Sequence, residues 1–142
     1  MNKPIVIGKG SMNSQPYPGG GIVTKIIYPG TVHSVNLFVG LAETKPGASP
    51  HRWHKHTQDT DSSGEYNIVY PEEFEEFYYV LSGKGTVQWK TADGVVHEEP
   101  VGKGDTIYFP RGTLEHQLLN TGQTKFTVLY GGTPPAQWIR KS

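Results

Sequence analysis

Histidines concentrate in one short segment of the chain, HRWHKH, which runs from His51 to His56. In a β-strand, residues two positions apart project from the same face, so His54 and His56 would lie side by side, at a spacing that suits two imidazoles on one metal ion. His51 is three residues before His54 and would point to the opposite face, where we expect it at the surface rather than beside the ligands. Such a pair also occurs in polar surface loops, so the motif alone leaves both interpretations open.

A second segment, FEEFYYVLSGKG, places a carboxylate in a strand that is otherwise apolar and aromatic. Alternate residues share a face, which puts Glu76, Tyr78 and Val80 on one side and Phe77, Tyr79 and Leu81 on the other. A carboxylate that faces a core is costly unless it is paired or bound to a metal, although Glu76 could instead lie in water at the open end of the strand. Tyr78 shares this face and is a candidate pocket residue or an aromatic core residue.

A third segment, GDTIYFPRGTLEHQLLN, places His116 at the start of a predicted strand after a Gly/Pro turn. Taken alone, His116 could be an ordinary half-buried histidine. Gln88 is a second candidate pocket residue, which points either into a pocket or out to solvent. We expect no metal role for His33, in an alternating strand, or for His97, on the edge of a hairpin.

Short apolar runs separated by Gly and Pro organise the rest of the chain, and no stretch has a helical period. The predicted strands are residues 22–27, 32–44, 51–57, 66–70, 74–81, 86–91, 95–98, 106–109, 116–119 and 125–130. Many short strands at regular spacing favour an antiparallel sandwich or barrel. We predict one domain over residues 1–142, with an irregular N-terminal arm (1–21), a barrel (about 22–131), an insertion (57–75) and a C-terminal tail (132–142).

The three segments together resemble the two sequence motifs of the cupin superfamily. The first motif, a Gly, a His-x-His pair, a Glu and a Gly, falls on Gly47, His54, His56, Glu76 and Gly83. The second motif, a Gly, Pro-x-Gly, a His and an Asn, falls on Gly104, Pro110, Gly112, His116 and Asn120. The resemblance covers roughly residues 30–131 and implies a metal site made of His54, His56, Glu76 and His116.

Three spacings depart from the family pattern. Six residues separate Gly47 from His54, one more than the motif has, and nineteen separate His56 from Glu76, where the motif has three or four. Three residues rather than two separate Gly112 from His116, so the family spacing would place Glu115 in the ligand position. We keep His116, because its spacing to Asn120 fits, and expect a one-residue bulge to reconcile the two spacings.

The long insertion, residues 57–75, leaves the strand of His56 and returns just before Glu76. We therefore expect it near the mouth of the barrel, with a mobile polar first half and an apolar second half that can close over a ligand. The alternative is a β-hairpin that extends a sheet edge or contributes to a dimer contact.

The resemblance implies an all-β jelly-roll barrel, a double-stranded β-helix, that binds one divalent transition metal ion. Imidazole and carboxylate ligands suit Fe, Mn, Ni or Zn, and a site with a net charge of about +1 favours an anionic or enolisable substrate. We expect an oxidoreductase of the dioxygenase kind, with a cupin isomerase or lyase acting on a sugar acid or similar compound as the alternative. A third possibility is a non-catalytic cupin that binds a small ligand. The strand that is apolar on both faces, and the resemblance, also imply a homodimer.

Charge and composition exclude several other classes of protein. The chain of 142 residues has 13 Lys and Arg against 13 Asp and Glu, which gives no reason to expect a nucleic-acid partner. It has no cysteine, so a metal would be bound by His, Asp or Glu. No segment is apolar enough for a membrane span or a signal peptide, and we expect a cytoplasmic protein.

Overall fold

The computed structural model describes residues 3–17, 19–61 and 63–142, with only the backbone of His51 and Arg52, so the side-chain prediction for His51 lies outside the described residues. The regular secondary structure of these residues is almost entirely β. The strands are β1 (Asn13–Pro16), β2 (Gly21–Ile27), β3 (Phe38–Thr44), β4 (His51–His54), β5 (Gln58–Thr60), β6 (Tyr66–Val69), β7 (Glu75–Ser82), β8 (Lys84–Lys90), β9 (Val96–Gly102), β10 (Thr106–Phe109), β11 (His116–Leu119), β12 (Phe126–Thr133) and β13 (Gln137–Arg140). The helical elements of the described chain are a 3₁₀ turn, Lys9–Ser11, and one turn of helix, α1 (Pro29–Val32). No helix among the described residues has the length and apolar character that a membrane crossing needs.

The strands form three antiparallel sheets. The largest has the order β1-β2-β3-β12-β7-β10, the second has the order β4-β11-β8-β9, and the smallest has the order β13-β6-β5. One hydrophobic core takes buried side chains from both large sheets, such as Val80 and Val128 from the first and Val87 and Leu118 from the second. Two antiparallel sheets closed around one core are the predicted jelly-roll barrel.

The predicted strands 106–109 and 116–119 have the bounds that the sequence indicated. The predicted strand 32–44 is wrong in its first half. Pro29 begins the turn of α1, the backbone of His33 then adopts a left-handed conformation (φ 55°), and the strand begins only at Phe38. His33 is exposed and ends this helical turn, so it does not lie in an alternating strand.

Both end segments contain more regular structure than the sequence indicated. The predicted arm, residues 1–21, includes β1, which pairs with β2 along its whole length. The predicted tail, residues 132–142, includes the end of β12 and the strand β13, which pairs with β6. Their partners are distant in sequence, and local composition carries little information about such pairing.

The insertion forms a β-hairpin, the second of the two structures that its sequence allows. Strand β5 pairs with β6, and β6 pairs on its other side with β13, so the hairpin is tied to the end of the chain. Asp61 stabilises the turn, because its carboxylate accepts hydrogen bonds from the backbone N–H groups of Ser63 and Tyr66. Ile68 of this hairpin is buried.

Candidate metal centre

Three histidines meet on the inner side of the barrel. His54 ends β4, His56 follows it by two residues, and His116 begins β11. One ring nitrogen from each lies within 4.8 Å of the others, so these three side chains could hold a single metal ion. His56 and His116 are buried, at 6% and 2% exposure.

The pairing of β4 with β11 brings the first and third of these histidines together. His54 lies opposite His116 in the register of the two strands, and their rings are 4.4 Å apart between centroids. The register then shifts, because three steps along β4, from His54 to His51, oppose two steps along β11, from His116 to Leu118. The additional residue in the Gly47-to-His54 spacing is therefore accommodated by an irregularity in β4.

The prediction of a one-residue β-bulge between Gly112 and His116 is wrong. Strand β11 pairs with β8 without a shift, from His116 opposite Trp89 to Leu119 opposite Thr86. The additional residue before His116 lies in the turn that precedes β11, where the Nδ1 atom of His116 contacts the backbone carbonyl of Leu114 at 2.7 Å.

His56 is held by aromatic contacts rather than by the strand that the sequence predicted, because β4 ends at His54. Its ring meets Phe74 edge-on at 4.8 Å and lies 5.2 Å from the ring of Tyr70. Both residues follow β6 at the end of the insertion. The insertion thus supplies the packing that orients one of the histidines.

Glu76 lies beside this histidine cluster and is buried at 8% exposure. Its Oε1 atom is 3.3 Å from the Nε2 atom of His56. Strand β10 places Phe109 opposite Glu76, and the ring of Phe109 stacks on His116 at 4.5 Å. The carboxylate therefore faces the interior next to the histidines, as the alternation of β7 predicted, and not the solvent.

The protonation of His116 suits a metal ligand. A carbonyl oxygen can only accept, so Nδ1 carries the proton that is donated to Leu114, and Nε2 keeps a lone pair. Burial, followed by the proximity of His54 and His56, lowers the pKa of His116 to about 3, so the ring is neutral at pH 7.

The Nε2 atom of His116 and the Nδ1 atom of His56 are buried without a hydrogen-bond partner among the described residues. A metal bound to Nε2 of His116 would satisfy a lone pair that is otherwise costly to bury.

His54 and His56 open onto a cavity of about 960 Å³. His54, His56 and Glu76 are in its wall, and most of the remaining wall is aromatic or aliphatic: Tyr28, Phe38, Ile68, Tyr70, Phe74, Tyr78, Tyr130 and Trp138. The N-terminal segment contributes Ile5, Val6 and Ile7, and the hairpin contributes Asp59, Thr60 and Asp61. A cavity of this size, with aromatic and aliphatic side chains in most of its wall and polar groups between them, suits a small molecule that has both an apolar body and polar substituents.

The family model described as "Cupin domain" matches residues 62–130. This segment of the chain belongs to the cupin superfamily. The match begins after His54 and His56, inside the insertion that separates this pair from the rest of the motif. No sequence among the curated proteins matches this cupin.

Solved structures with the same fold include a predicted oxalate decarboxylase from Thermotoga maritima, with a TM-score of 0.64, 18% identity, and coverage of 91% of this chain and 98% of that one. The polyketide cyclase RemF from Streptomyces resistomycificus has a TM-score of 0.65 at 18% identity and covers 99% of this chain and 88% of its own. An RmlC-like cupin from Shewanella frigidimarina has a TM-score of 0.60 at 14% identity, with 93% and 92% covered. At these identities the likeness establishes the fold.

The two candidate pocket residues of this cupin have different locations. Tyr78 lines the cavity and is 1% exposed. Gln88 is absent from the wall. It alternates with buried Val87 on β8, donates a hydrogen bond to Glu98 and accepts one from Gln117. His97 stacks on Trp89 at the exposed strand β9, away from the histidine cluster.

The sequence alone does not single out the other tyrosines that line the cavity of this cupin. Tyr28 and Tyr130 are far apart in sequence, but their hydroxyls are 2.7 Å apart in the cavity wall. Gly40 makes room for this pair, because a Cβ at position 40 would overlap with the hydroxyl of Tyr130. A glycine inside a predicted strand signals a close approach of this kind, although not its partner.

Glu115 and His116 respond differently to substitution if the metal is bound as we infer. The carboxylate of Glu115 points outward to Lys90, at 3.5 Å, so Glu115→Gln should leave the metal content unchanged. His116→Ala removes a lone pair from the cluster and should lower metal affinity at least about tenfold. Elemental analysis after dialysis against a weak chelator measures both. If only Glu115→Gln loses the metal, the ligand is Glu115 and the assignment to His116 is wrong.

Proposed function

We propose that this cupin is a metal-dependent enzyme that acts on an enolisable or phenolic small molecule bound inside the barrel. One observation carries the proposal. Three histidines converge, and two of them line a cavity large enough for a substrate. His56 and His116 each have a buried nitrogen without a hydrogen-bond partner in the part of the chain that the structure describes. A structural role alone does not account for these nitrogens, because buried polar atoms in folded proteins are normally paired.

The proposed ligands are His54, His56, His116 and Glu76. Three neutral imidazoles and a carboxylate favour Fe, Mn, Ni or Zn over Ca or Mg. When bound, such an ion supplies Lewis acidity and stabilises negative charge that develops on a substrate oxygen. The packing of His56 against Phe74, and of His116 against Phe109, holds the ligand rings in place before the ion arrives.

The cavity wall supports a substrate with an apolar or aromatic body. Burial raises the pKa values of Tyr28, Tyr70, Tyr78 and Tyr130, so their hydroxyls stay protonated at neutral pH. They can therefore donate hydrogen bonds to substrate oxygens but cannot serve as bases. A substrate that fills the cavity would displace water from between the aromatic rings, which would strengthen each polar contact inside.

Oxygen-dependent oxidation remains the first reaction class that we propose, because an enolate or phenolate is electron-rich and reacts with oxygen when a redox-active metal is present. The second candidate is a redox-neutral reaction of the same enolate, such as isomerisation, lysis or cyclisation. The aromatic cavity favours keeping this alternative, and a polyketide cyclase is among the proteins with this fold. A non-catalytic small-ligand binder would use the same cavity without turnover.

These alternatives separate in one screen. The protein, loaded in turn with Fe(II), Mn(II), Ni(II) and Zn(II), is incubated with phenols, 1,3-diketones and 2-keto acids, while oxygen uptake and product formation are followed. Oxidation predicts oxygen consumption with Fe or Mn only, and isomerisation or cyclisation predicts product without oxygen uptake. If bound compounds are recovered unchanged with every metal, the protein is a binder and the enzyme proposal fails.

The hairpin should close the cavity and contribute little to metal binding. We expect that replacing residues 58–69 with a short Gly/Ser linker leaves the histidines and Phe74 in place but removes Ile68 and the pairing partner of β13. Metal content should then stay near that of the wild type, while ligand affinity falls at least about tenfold. A Gly/Ser replacement of the exposed turn at residues 91–95 is the matched control. Unchanged ligand affinity would show that the hairpin is not part of the substrate site.

The outer face of β7 supports the proposal of a homodimer. Phe77, Tyr79 and Leu81 are 36%, 39% and 40% exposed, and Tyr108 of the neighbouring strand extends the same apolar face. We expect light scattering to give about twice the chain mass of 15.7 kDa. The double variant Phe77→Glu/Tyr79→Glu should be monomeric. The control variant Val96→Glu, on the exposed strand β9, should remain a dimer. A wild-type mass of one chain at micromolar concentration would contradict the dimer.

A further inference from the structure

The wall of the cavity contains a cation that the proposed metal site does not use. Lys25 is the only lysine or arginine among the described residues that line the cavity. It lies on β2 of the large sheet, opposite Gly40 of β3 and Asn13 of β1. The same sheet carries Tyr130 and Tyr78, which place their rings in the same cavity.

Two aromatic rings flank the ammonium group of Lys25. Its Nζ atom is 5.2 Å from the ring centroid of Tyr28 and 4.7 Å from that of Trp138. Trp138 lies on β13, the strand that pairs with the hairpin. Cation–π contacts of this kind position an ammonium group but leave its N–H donors available for hydrogen bonds.

The ammonium group has no anionic partner within the part of the chain that the structure describes. The ion pairs there join His56 to Glu76, Lys90 to Glu115 and Lys125 to Glu43, and none includes Lys25. Burial lowers the pKa of Lys25, as expected for a cation that has lost solvent without gaining a counter-ion. A half-buried ammonium in the wall of this cavity, with no carboxylate of the described residues paired to it, is suited to an anion that arrives from outside.

We propose that Lys25 anchors an anionic group of the ligand, so that the substrate is an amphipathic aromatic compound with a carboxylate or a similar oxyanion. This inference deepens the proposed function and rests on it for the identity of the cavity as the substrate site. The anionic group is distinct from the enolisable oxygen that would meet the histidines. Lys25 thereby determines which end of the substrate faces the metal ligands.

Two fluorescent probes that differ in one group test the anchor. 1-Anilinonaphthalene-8-sulfonate carries an anion, and N-phenyl-1-naphthylamine has the same aromatic body without it. Both probes are titrated into the wild-type protein as purified and into the variants Lys25→Met and Lys25→Arg. Lys103→Met is the control, because it removes a charge from the exposed turn before β10. Metal content and melting temperature are measured on the same samples.

We expect Lys25→Met to raise the Kd of the sulfonate probe about tenfold or more and to change that of the neutral probe less than about twofold. Lys25→Arg should keep the sulfonate affinity within about threefold, and Lys103→Met should match the wild type. Equal losses for both probes, no loss, or the same loss in Lys103→Met would overturn the anchor. If the purified protein contains no metal but Lys25→Met still weakens binding of the sulfonate probe selectively, the proposed function fails and the anchor stands. If the protein contains metal and Lys25→Met has no selective effect on the sulfonate probe, the anchor fails and the proposed function stands.

Discussion

The double variant His54→Ala/His56→Ala should contain almost no metal, where the wild type should contain about one ion per chain. Two of the four proposed ligands are lost, and the remaining pair, His116 and Glu76, comes from different strands of the barrel. Two ligands do not hold a transition metal against dialysis. Elemental analysis of the purified proteins measures the difference, and the proposed catalytic activity should disappear with the metal.

His97→Ala is the matched control for this experiment, because His97 is exposed and stacks on Trp89 away from the cluster. It should keep the wild-type metal content. Full retention of metal in the double variant, with a native melting transition, would mean that the ion is bound elsewhere and that the histidine cluster has another role.

The variant Asn120→Ala should lower the free energy of unfolding by about 3–5 kcal/mol. Asn120 is 1% exposed, its amide donates to the carbonyls of Thr44 and Thr124, and its side-chain oxygen accepts from the N–H of Gly122. Alanine leaves the buried carbonyl of Thr44 and the partly buried groups of Thr124 and Gly122 without these partners. For a chain of this length the melting temperature should fall by about 10–15 °C.

Asn36→Ala removes an exposed asparagine and should change the melting temperature by less than about 2 °C. Calorimetry at a fixed metal concentration compares the two variants. A comparably small change in Asn120→Ala would mean that water replaces the lost hydrogen bonds, so that the asparagine of the second motif does not stabilise the fold.

The local patterns in the sequence predicted the parts of this fold that local chemistry controls. Strand β10 and the strand of His116 lie between Gly/Pro turns, and their predicted bounds are those of the structure. Gly83 has a φ of 84°, and a Cβ there would overlap with the carbonyl of Lys125, so the predicted end of β7 has a clear steric cause. The alternation of β7 likewise predicted that Glu76 faces inward.

Features that depend on long-range pairing were not predictable from single segments. The sequence does not reveal that β13 pairs with β6, that His56 is oriented by aromatic rings beyond the end of β4, or that the extra residue of the first motif is absorbed in the β4 register. Lys25 was missed for the same reason. It becomes notable only when Tyr28 and Trp138 are placed around it.

Anomalous X-ray diffraction from crystals of the protein as purified tests the central claim most directly, which is that His54, His56, His116 and Glu76 bind one metal ion in the cavity. We predict a single anomalous peak, at about 2.0–2.2 Å from one nitrogen of each histidine and from an oxygen of Glu76. The absorption edge would identify the element. A cavity without such a peak, in a protein that elemental analysis shows to contain a transition metal, would contradict the account.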